Sequence, residues 1–538
     1  MGNEVNTASE RVQIARAAGL VSGLTLVSRI LGLVREVVFA ALLGAGLHSD
    51  AFRIAFRIPN LLRDLFAEGA LSAAFVPTYA RALLQEGRPE ALRLVNRVLT
   101  VLALLLSVVV VLGIAFAGPI VAALAPGYSE VPGKAELTIL LTRVLMPFLP
   151  LVSFAAVAMG MLNAEERFGV PALSPAMFNV MAVAWGLGLW TLGLPLDQIV
   201  LGWSLGTLLG GLAQFLIQVP ALRRLGWRFR PDWAPGDPRL RGMARLMGPA
   251  TVGLAAVQVN LFVNSRFASH ESGAVSWLDY AFRLLYLPIG LFGVALGTIA
   301  MSGLARRAAE RDLAGLRATL RQSLAMLAYL TIPATVGLIV LRVPVVRLIY
   351  ERMRFTAADT EATAAALLLY SFGLVGYTGV KVLAPAFYAL DRPRVPLAAS
   401  GLAIATNLTV VVALYPSWGF RALALGTALG SLFNAGLLAV LFERRVGGLL
   451  GRGLFRSMVP MAGAAAVMGA VVWLAAVALE RSVGSGHLGA NVVTGLLPVL
   501  LGVALYALLT RLLRVGEAEA LWSIVRQRRW RTGTEPKP

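Results

Sequence analysis

The sequence predicts an all-α polytopic membrane protein with about fourteen transmembrane helices. Hydrophobic residues make up 58% of the 538-residue chain and charged residues only 14%, whereas a soluble protein carries about 25% charged residues. Apolar stretches of about 20 residues, the length that a helix needs to cross a bilayer, recur along the whole chain. The hydrophilic segments between them are too short to fold as an enzyme domain.

The apolar runs predict the helices in order, at residues 14–43, 48–82, 93–124, 134–163, 171–193, 197–221, 242–269, 274–304, 318–343, 360–390, 395–415, 420–443, 456–480 and 490–514. Two landmarks of the second helix, Asp50 and Pro59, recur as Asp279 and Pro288 in the eighth. The repeat predicts two six-helix lobes around a central cavity plus two C-terminal helices, which is a transporter architecture. The predicted domains are an N-lobe, a C-lobe, a helix pair and a basic tail, at 1–222, 223–445, 446–515 and 516–538.

The charges of the loops predict the orientation in the membrane. Arginines concentrate in alternate loops, most densely between residues 223 and 245, and the opposite loops are mostly poor in base. One loop on the supposed outer side disagrees, since it carries Arg342, Arg347, Arg352 and Arg354. The balance still predicts that both termini are cytoplasmic, that the first helix is not cleaved, and that the net charge of +20 reflects topology and not nucleic-acid binding.

Several kinds of chemistry are excluded or disfavoured. The chain has no cysteine, and its three histidines are scattered in predicted loops, so we expect neither disulfides nor a metal site. No GxxxxGK[ST] pattern indicates an ATP site, and no cofactor is expected. The sequence therefore predicts a transporter and not an enzyme. The basic end of the chain, from Arg526 to Pro538, is predicted to be disordered on the anionic membrane surface.

The second predicted helix carries a polar stripe on an apolar body. Its members follow one another at steps of three and four residues, which is one helix face: Asp50, Arg53, Arg57, Asn60, Asp64 and Glu68. A charge at mid-depth in a bilayer costs roughly 2.5 to 3.5 kcal/mol. The stripe therefore predicts that this face of the helix lines a water-filled interior of the helix bundle and forms a functional site. The alternative is that some of these residues lie at the membrane surface and neutralise each other in i,i+4 pairs.

Further charges lie in other predicted helices. Asp279 and Arg283 are four residues apart and are expected to pair locally, and Lys381 either pairs with an acid across the bundle or attracts an anion. The arginines of the predicted cavity are Arg29, Arg35, Arg53, Arg57, Arg63 and Arg283. Guanidinium groups match phosphate oxygens in bidentate geometry, so the pattern predicts an anionic amphiphile that carries phosphate as the ligand.

Several motifs resemble the MurJ (MviN) family of lipid II flippases: Ser28-Arg29-Ile-Leu-Gly-Leu-Val-Arg35-Glu36, Ser49-Asp50-Ala-Phe, Pro59-Asn60-Leu-Leu-Arg63, Phe66-Ala-Glu68-Gly-Ala70 and Val382-Leu-Ala-Pro385. The resemblance implies the multidrug/oligosaccharidyl-lipid/polysaccharide exporter fold, with the last two helices forming a groove for the polyprenyl tail. It implies important positions at Ser28, Arg29, Arg35, Asp50, Arg63, Glu68 and Arg283, with Arg35, Glu36 and Arg283 close together around the diphosphate of lipid II.

The chain also departs from the family pattern. Glu36 stands where aspartate is frequent, and Asp64 stands where a second arginine is common. Some members resemble sodium-coupled carriers, but the middle of the corresponding helices here offers only Asn260, Asn264 and Asn407, which argues against a sodium site.

The resemblance predicts a monomeric flippase of the bacterial cytoplasmic membrane that moves lipid II by alternating access, with membrane lipids as its other partners. Coupling to the membrane potential is a further hypothesis. Three alternatives remain: an exporter of other polyprenyl-linked sugars, a multidrug antiporter, and a scaffold that recruits cell-wall enzymes through its basic loops. A drug antiporter would want an acidic cavity, and a scaffold would leave the charges within helices unexplained.

Overall fold

A computed structural model describes residues 2–63, 70–449, 451–484 and 488–531. Within these ranges the regular secondary structure is helical, with short connecting segments and no strand. The described residues of Met1–Ser276 with Arg352–Phe355 form one compact unit, and those of Trp277–Glu351 with Thr356–Pro538 form a second. The predicted lobe boundaries at residues 222 and 445 stay predictions.

The first unit consists of eleven helices and the start of a twelfth among its described residues: α1 Gly2–Leu43, α2 Leu47–Arg63, α3 Ala70–Gln85, α4 Arg88–Ala115, α5 Ala117–Leu124, α6 Lys134–Leu145, α7 Phe148–Ala164, α8 Gly169–Thr191, α9 Leu196–Leu216, α10 Val219–Arg224, α11 Pro238–Ala268 and α12 Ala274–Pro288. In its core, α1 packs on α8, α2 on α6, and α7 on α9. The helix α11, which the sequence assigns to the C-lobe, packs on α3 of this unit.

The second unit contains the rest of α12, a six-residue π-helix at Ile289–Val294, and ten helices within its described ranges: α13 Ala295–Ala309, α14 Leu313–Val340, α15 Arg342–Tyr350, α16 Ala357–Phe372, α17 Leu374–Ala389, α18 Arg394–Trp418, α19 Phe420–Val446, α20 Arg452–Val483, α21 Leu488–Leu512 and α22 Gly516–Arg531. The closest packed pairs are α18 with α19, α17 with α19, and α20 with α14 and α21.

Several predicted spans are two helices that meet at a break. The span predicted at 134–163 is divided between α6 and α7 near Pro147, and the span at 360–390 bends by 41° between α16 and α17 at Gly373. Proline removes a backbone donor and clashes with the preceding turn, which explains the first break. Ten helices in the described part of the chain are long and apolar enough to span a membrane, or eleven with the bent pair. The total of fourteen stays a prediction.

The end of the chain is more ordered than the sequence predicts. Disorder was expected from Arg526 to Pro538, but α22 continues to Arg531, so the expectation is wrong for residues 526–531, and residues 532–538 lie outside the described ranges. The reason is packing at the start of this helix. Val515 and Ala518 are buried in a hydrophobic cluster with residues of α20 and α14, and the Arg511 guanidinium lies 5.3 Å from the ring centre of Trp522.

Close helix contact in the second unit depends on glycine, which gives a test of this packing. A Cβ atom at Gly376 of α17 would lie 2.6 Å from the backbone nitrogen of Leu432 in α19. Because backbone atoms cannot move aside alone, we expect Gly376→Ala to cost about 1–3 kcal/mol of stability. Thermal unfolding of the purified protein in detergent measures this as a lower midpoint.

Gly436→Ala is the matched control, because a Cβ atom at Gly436 of α19 would meet nothing within 4 Å. An unchanged midpoint for Gly376→Ala, equal to that of the control, would contradict the close approach of α17 and α19.

Candidate functional site

Glu36 of α1 lies between two arginines. Its side chain is buried, with 6% of the residue exposed. The Arg35 Nη2 donates a hydrogen bond to Glu36 Oε1 at 2.7 Å, and the Arg53 Nη2 of α2 lies 3.6 Å from Glu36 Oε2. Two guanidinium groups therefore lie beside one carboxylate at this point of the first unit.

Aromatic rings hold both guanidinium groups in place. Arg35 lies over Phe178 of α8 and Arg53 lies over Phe39 of α1, each at 5.0 Å from the ring centre. Such cation–π contacts stabilise a charge that is partly withdrawn from water. Arg53 is buried and Arg35 is only partly buried, so Arg35 is the guanidinium group that a ligand reaches more readily.

Asp50 of α2 is completely buried and receives several donors. Its carboxylate accepts hydrogen bonds from Lys134 Nζ at 2.8 Å, Gly273 N at 2.8 Å, Ser276 N at 3.0 Å and Ser276 Oγ at 2.7 Å. Lys134, at the start of α6, is also fully buried and lies over the Tyr128 ring at 4.2 Å. This cluster fastens α2 to α6 and to the start of α12.

The sequence missed both Lys134 and Ser276 as partners of Asp50. Lys134 is one of only three lysines in the chain, and it is the first residue of a predicted span, on the side of the membrane where the loops contain few basic residues. This unusual position was the one feature of the sequence that could have indicated a special role for Lys134. Nothing in the local sequence indicates a partner 84 residues away, because the pairing arises only from the packing of α2 on α6.

The rest of the polar stripe follows α2. Arg57 donates a hydrogen bond to Ser265 Oγ of α11, and Asn60 and Arg63 are half-buried. Asp50 and Arg53 are buried in the protein, with 0% and 7% of these residues exposed. The alternative of a stripe at the membrane surface concerns depth in the bilayer and stays open. Asp64 and Glu68 lie outside the described residues.

The two residues at the start of the first motif are less enclosed. Ser28 is half-buried, and its backbone carbonyl accepts a hydrogen bond from Asn179 Nδ2 of α8 at 3.1 Å. Arg29 is exposed on α1. The structure therefore brings Arg35, Glu36 and Arg53 into contact with one another. Arg29 takes no part in the contacts described above for these three residues.

In the second unit, Arg283 Nε donates to Asp279 Oδ2 at 3.1 Å, which confirms the local pair expected from their spacing. The Arg283 side chain is 40% exposed, so this pair stands at a partly open surface of α12. Lys381 of α17 is exposed, and no described carboxylate of the second unit pairs with it. The predicted approach of Arg283 to Arg35 and Glu36 stays a prediction, since these residues belong to different units.

No group of three or more histidine, cysteine, aspartate or glutamate side chains in the described part of the chain is arranged to hold a metal ion. In the first unit, Arg35 and Arg53 contact the Glu36 carboxylate, and Arg57 contacts the Ser265 hydroxyl. Guanidinium groups match the oxygens of phosphate-like anions, so these side chains suit such a ligand.

The helix arrangement matches solved transporter structures. A structure described as "Lipid II flippase MurJ, inward closed conformation" aligns with a TM-score of 0.76 and 24% identity, covering 92% of this chain and 98% of that one. An inward-facing multidrug resistance MATE family transporter of the MOP superfamily aligns with a TM-score of 0.66 and 16% identity, covering 80% and 98%. The fold is therefore that of the MOP superfamily transporters.

The sequence comparisons identify the family within that class. The family described as "Lipid II flippase MurJ" matches residues 39–494. A probable lipid II flippase MurJ of Vibrio cholerae is 36% identical over 440 residues, 80% of this chain and 83% of that protein. The lipid II flippase MurJ of Burkholderia cenocepacia is 36% identical over 471 residues, 86% of this chain and 90% of that protein. The chain belongs to the MurJ family, and it is a multi-pass protein of the bacterial inner membrane.

The buried cluster at Asp50 gives a test by a double-mutant cycle. Removing one partner of a buried ion pair costs about 3–5 kcal/mol, because the other charge is left without compensation. We therefore expect Lys134→Met and Asp50→Asn each to lower the thermal unfolding midpoint strongly. The double variant should lose much less than the sum of the two, since no uncompensated charge remains.

Arg93→Gln is the control for charge removal, because the pair of Arg93 with Glu90 is largely exposed on α4. Its midpoint should stay near that of the unchanged protein. Additive losses in the double variant would show that Asp50 and Lys134 do not stabilise each other.

Proposed function

We propose that this chain is a lipid II flippase, which moves the undecaprenyl-diphosphate-linked peptidoglycan precursor from the inner to the outer leaflet of the cytoplasmic membrane for cell-wall synthesis. Membership in the family supports the proposal, as do the relatives that carry this name. The single observation that carries it is the pair of guanidinium groups around the buried carboxylate of Glu36, inside a bundle of apolar helices.

Arg35 is the first ligand that we propose for the diphosphate. A guanidinium fork binds two phosphate oxygens at once and stays charged at any relevant pH. When Arg35 turns to the phosphate, Glu36 loses one partner. Arg53 remains beside the second oxygen of Glu36, so the carboxylate is not left without a cation. Arg53 in this proposal holds Glu36, and Arg35 binds the substrate.

Arg283 is the second proposed ligand. Its pair with Asp279 is partly exposed and lies within one helix turn, and such pairs contribute only about 0.2–1 kcal/mol. The loss of this one pair to a phosphate oxygen therefore costs little. We infer that Arg29, Arg57 and Arg63 add positive charge along the path, with Asn60 as a hydrogen-bonding neighbour.

The remaining parts of the proposal follow the family and the charge pattern. Transport proceeds by alternating access without an ATP site, both termini face the cytoplasm, and the protein acts as a monomer that does not bind nucleic acid. Helices α20 and α21, within residues 446–515, provide the groove for the polyprenyl tail. Both helices carry apolar side chains that are exposed, among them Val459, Leu474 and Val503.

Neutralising the proposed ligands tests the function. Arg35→Gln and Arg283→Gln should each abolish rescue of a bacterium depleted of its own MurJ, because the diphosphate loses a bidentate partner. The direct measurement is the fraction of lipid II that becomes accessible to a reagent added outside the cells.

Arg306→Gln is the matched control, since it removes the same charge from an exposed position of α13 and should leave flipping unchanged. Full activity of both Arg35→Gln and Arg283→Gln, with normal protein levels, would refute the proposed site. Rescue of growth by the unchanged protein without any lipid II becoming accessible outside the cells would instead favour a non-transporting scaffold over a flippase.

We further propose that the flipping cycle is coupled to the membrane potential, since one charge moved through 100 mV gains about 2.3 kcal/mol. If the empty site carries net positive charge, an inside-negative potential draws it back toward the cytoplasm, and we expect flipping to speed up. Reconstituted vesicles with a potassium gradient and valinomycin measure this rate. A rate that does not change when the potential is imposed or reversed would overturn the coupling but leave the flippase proposal intact.

A further inference from the structure

An extended segment between α10 and α11, residues 227–237, lies along the first turns of α4; we call it the strap. The side chain of Asn96 accepts a hydrogen bond from Trp227 Nε1 at 3.1 Å and donates one to the Arg228 carbonyl at 3.2 Å. One turn further along α4, Thr100 Oγ1 accepts a hydrogen bond from Asp232 N at 3.0 Å. The backbone of the strap is therefore fixed at two points.

The acidic groups of the strap are already paired with arginines. Arg97 of α4 binds Asp232 and Asp237, each at 2.8 Å, and Arg239 binds Asp237 as well as Glu86, which follows the end of α3. Hydrogen bonds from Arg239, and then from Arg97, hold the pKa of Asp237 well below its usual range against the opposing effect of burial. These carboxylates are not available to neutralise other arginines nearby.

The side chains in and next to the strap that remain exposed include basic and aromatic ones. Phe229 is 51% exposed and Trp233 is 61% exposed. Four arginines in and next to the strap are exposed, and their side chains make no ion pair with the described residues: Arg223, Arg224, Arg228 and Arg230. Large aromatic side chains beside free guanidinium groups, on a backbone held rigid, are the components of a binding surface.

The position of the strap along α4 indicates what it contacts. Asn96, Arg97 and Thr100 are the last polar residues before residues 101–112, in which Ser107 is the only polar one. Beyond Thr100, the side chains of Leu104, Val108 and Val111 are exposed along the outer face of this candidate membrane span. The strap therefore crosses α4 where the apolar span begins, which is the depth of the lipid headgroups, where tryptophan is enriched.

We propose that the strap is a binding surface for anionic phospholipids of the surrounding membrane. Phe229 and Trp233 lie at the boundary between headgroups and acyl chains, while Arg228 and Arg230 bind the phosphate groups, with Arg223 and Arg224 adding to the attraction. The positive charge of the surface is complementary to an anionic headgroup. Its aromatic rings suit the membrane interface, which is hydrated on one side and apolar on the other. This inference does not depend on the transported substrate.

Lipid analysis of the full-length protein tests the proposal. The protein is reconstituted in nanodiscs that contain phosphatidylglycerol and phosphatidylethanolamine, extracted gently, and the lipids that remain bound are quantified by mass spectrometry. We expect the double variant Arg228→Gln with Arg230→Gln to lower the bound ratio of phosphatidylglycerol to phosphatidylethanolamine by about twofold or more.

The matched control is Arg306→Gln with Arg321→Gln, which removes the same charge from exposed positions of α13 and α14. It should leave the ratio unchanged. An equal fall in both variants, or no fall in the strap variant, would overturn the proposal, because the retention would then reflect basic surface in general.

A second measurement does not depend on arginine substitutions. The fluorescence lost in Trp233→Phe isolates the contribution of Trp233 from that of the other tryptophans. We expect this contribution to be quenched by phosphatidylglycerol brominated on its acyl chains and to be shielded from acrylamide. Quenching by acrylamide without quenching by brominated lipid would place the strap in water, as a surface for a protein partner, and would refute lipid binding.

Discussion

An ionised carboxylate among apolar helices is stable only when cations and hydrogen-bond donors surround it. The first unit meets this condition at Asp50 and at Glu36, in two different ways. Asp50 and Lys134 are sealed from solvent, and backbone and hydroxyl donors from the start of α12 complete the shell. Glu36 is surrounded by guanidinium groups, one of which is only partly buried. The sealed cluster joins α2 to α6 and to the start of α12, and the second cluster is the one that we propose binds the ligand.

The corresponding aspartates of the sequence repeat have different surroundings in the two units. Asp50 of α2 and Asp279 of α12 are the aspartates of the sequence repeat, yet Asp50 is buried and joins separate helices, while Asp279 pairs within its own helix with Arg283. The difference follows from the neighbours, since α6 brings a lysine to Asp50. Asp279 accepts a hydrogen bond from an arginine one turn away, and partial exposure to water reduces the cost of its charge.

The sequence predicted the positions of the helices well, but it did not predict which distant side chains contact each other. Apolar runs predicted α18 and α19 within a few residues, because length and composition decide a span. The breaks within other spans were not predicted, since they depend on single residues such as Pro147 and Gly373. The spacing of Asp279 and Arg283 identified a local pair, but the contact of Asp50 with Lys134 joins distant segments. The sequence placed the polar stripe on one face of α2, but the burial of Asp50 and Arg53 depends on the neighbouring helices. Its functional role stays a prediction.

The arrangement of Arg35 against Glu36 has a consequence for selectivity. A guanidinium group that already has an internal carboxylate partner is not open to every anion, because an incoming ion must compete with that carboxylate. In the proposal that Arg35 binds the diphosphate, chloride is expected to compete poorly with Glu36, because it is monovalent and has no pair of oxygens to match the guanidinium fork. A diphosphate carries more charge and several oxygens and is expected to compete better. Within this proposal, Glu36 sets a threshold that disfavours common cellular anions.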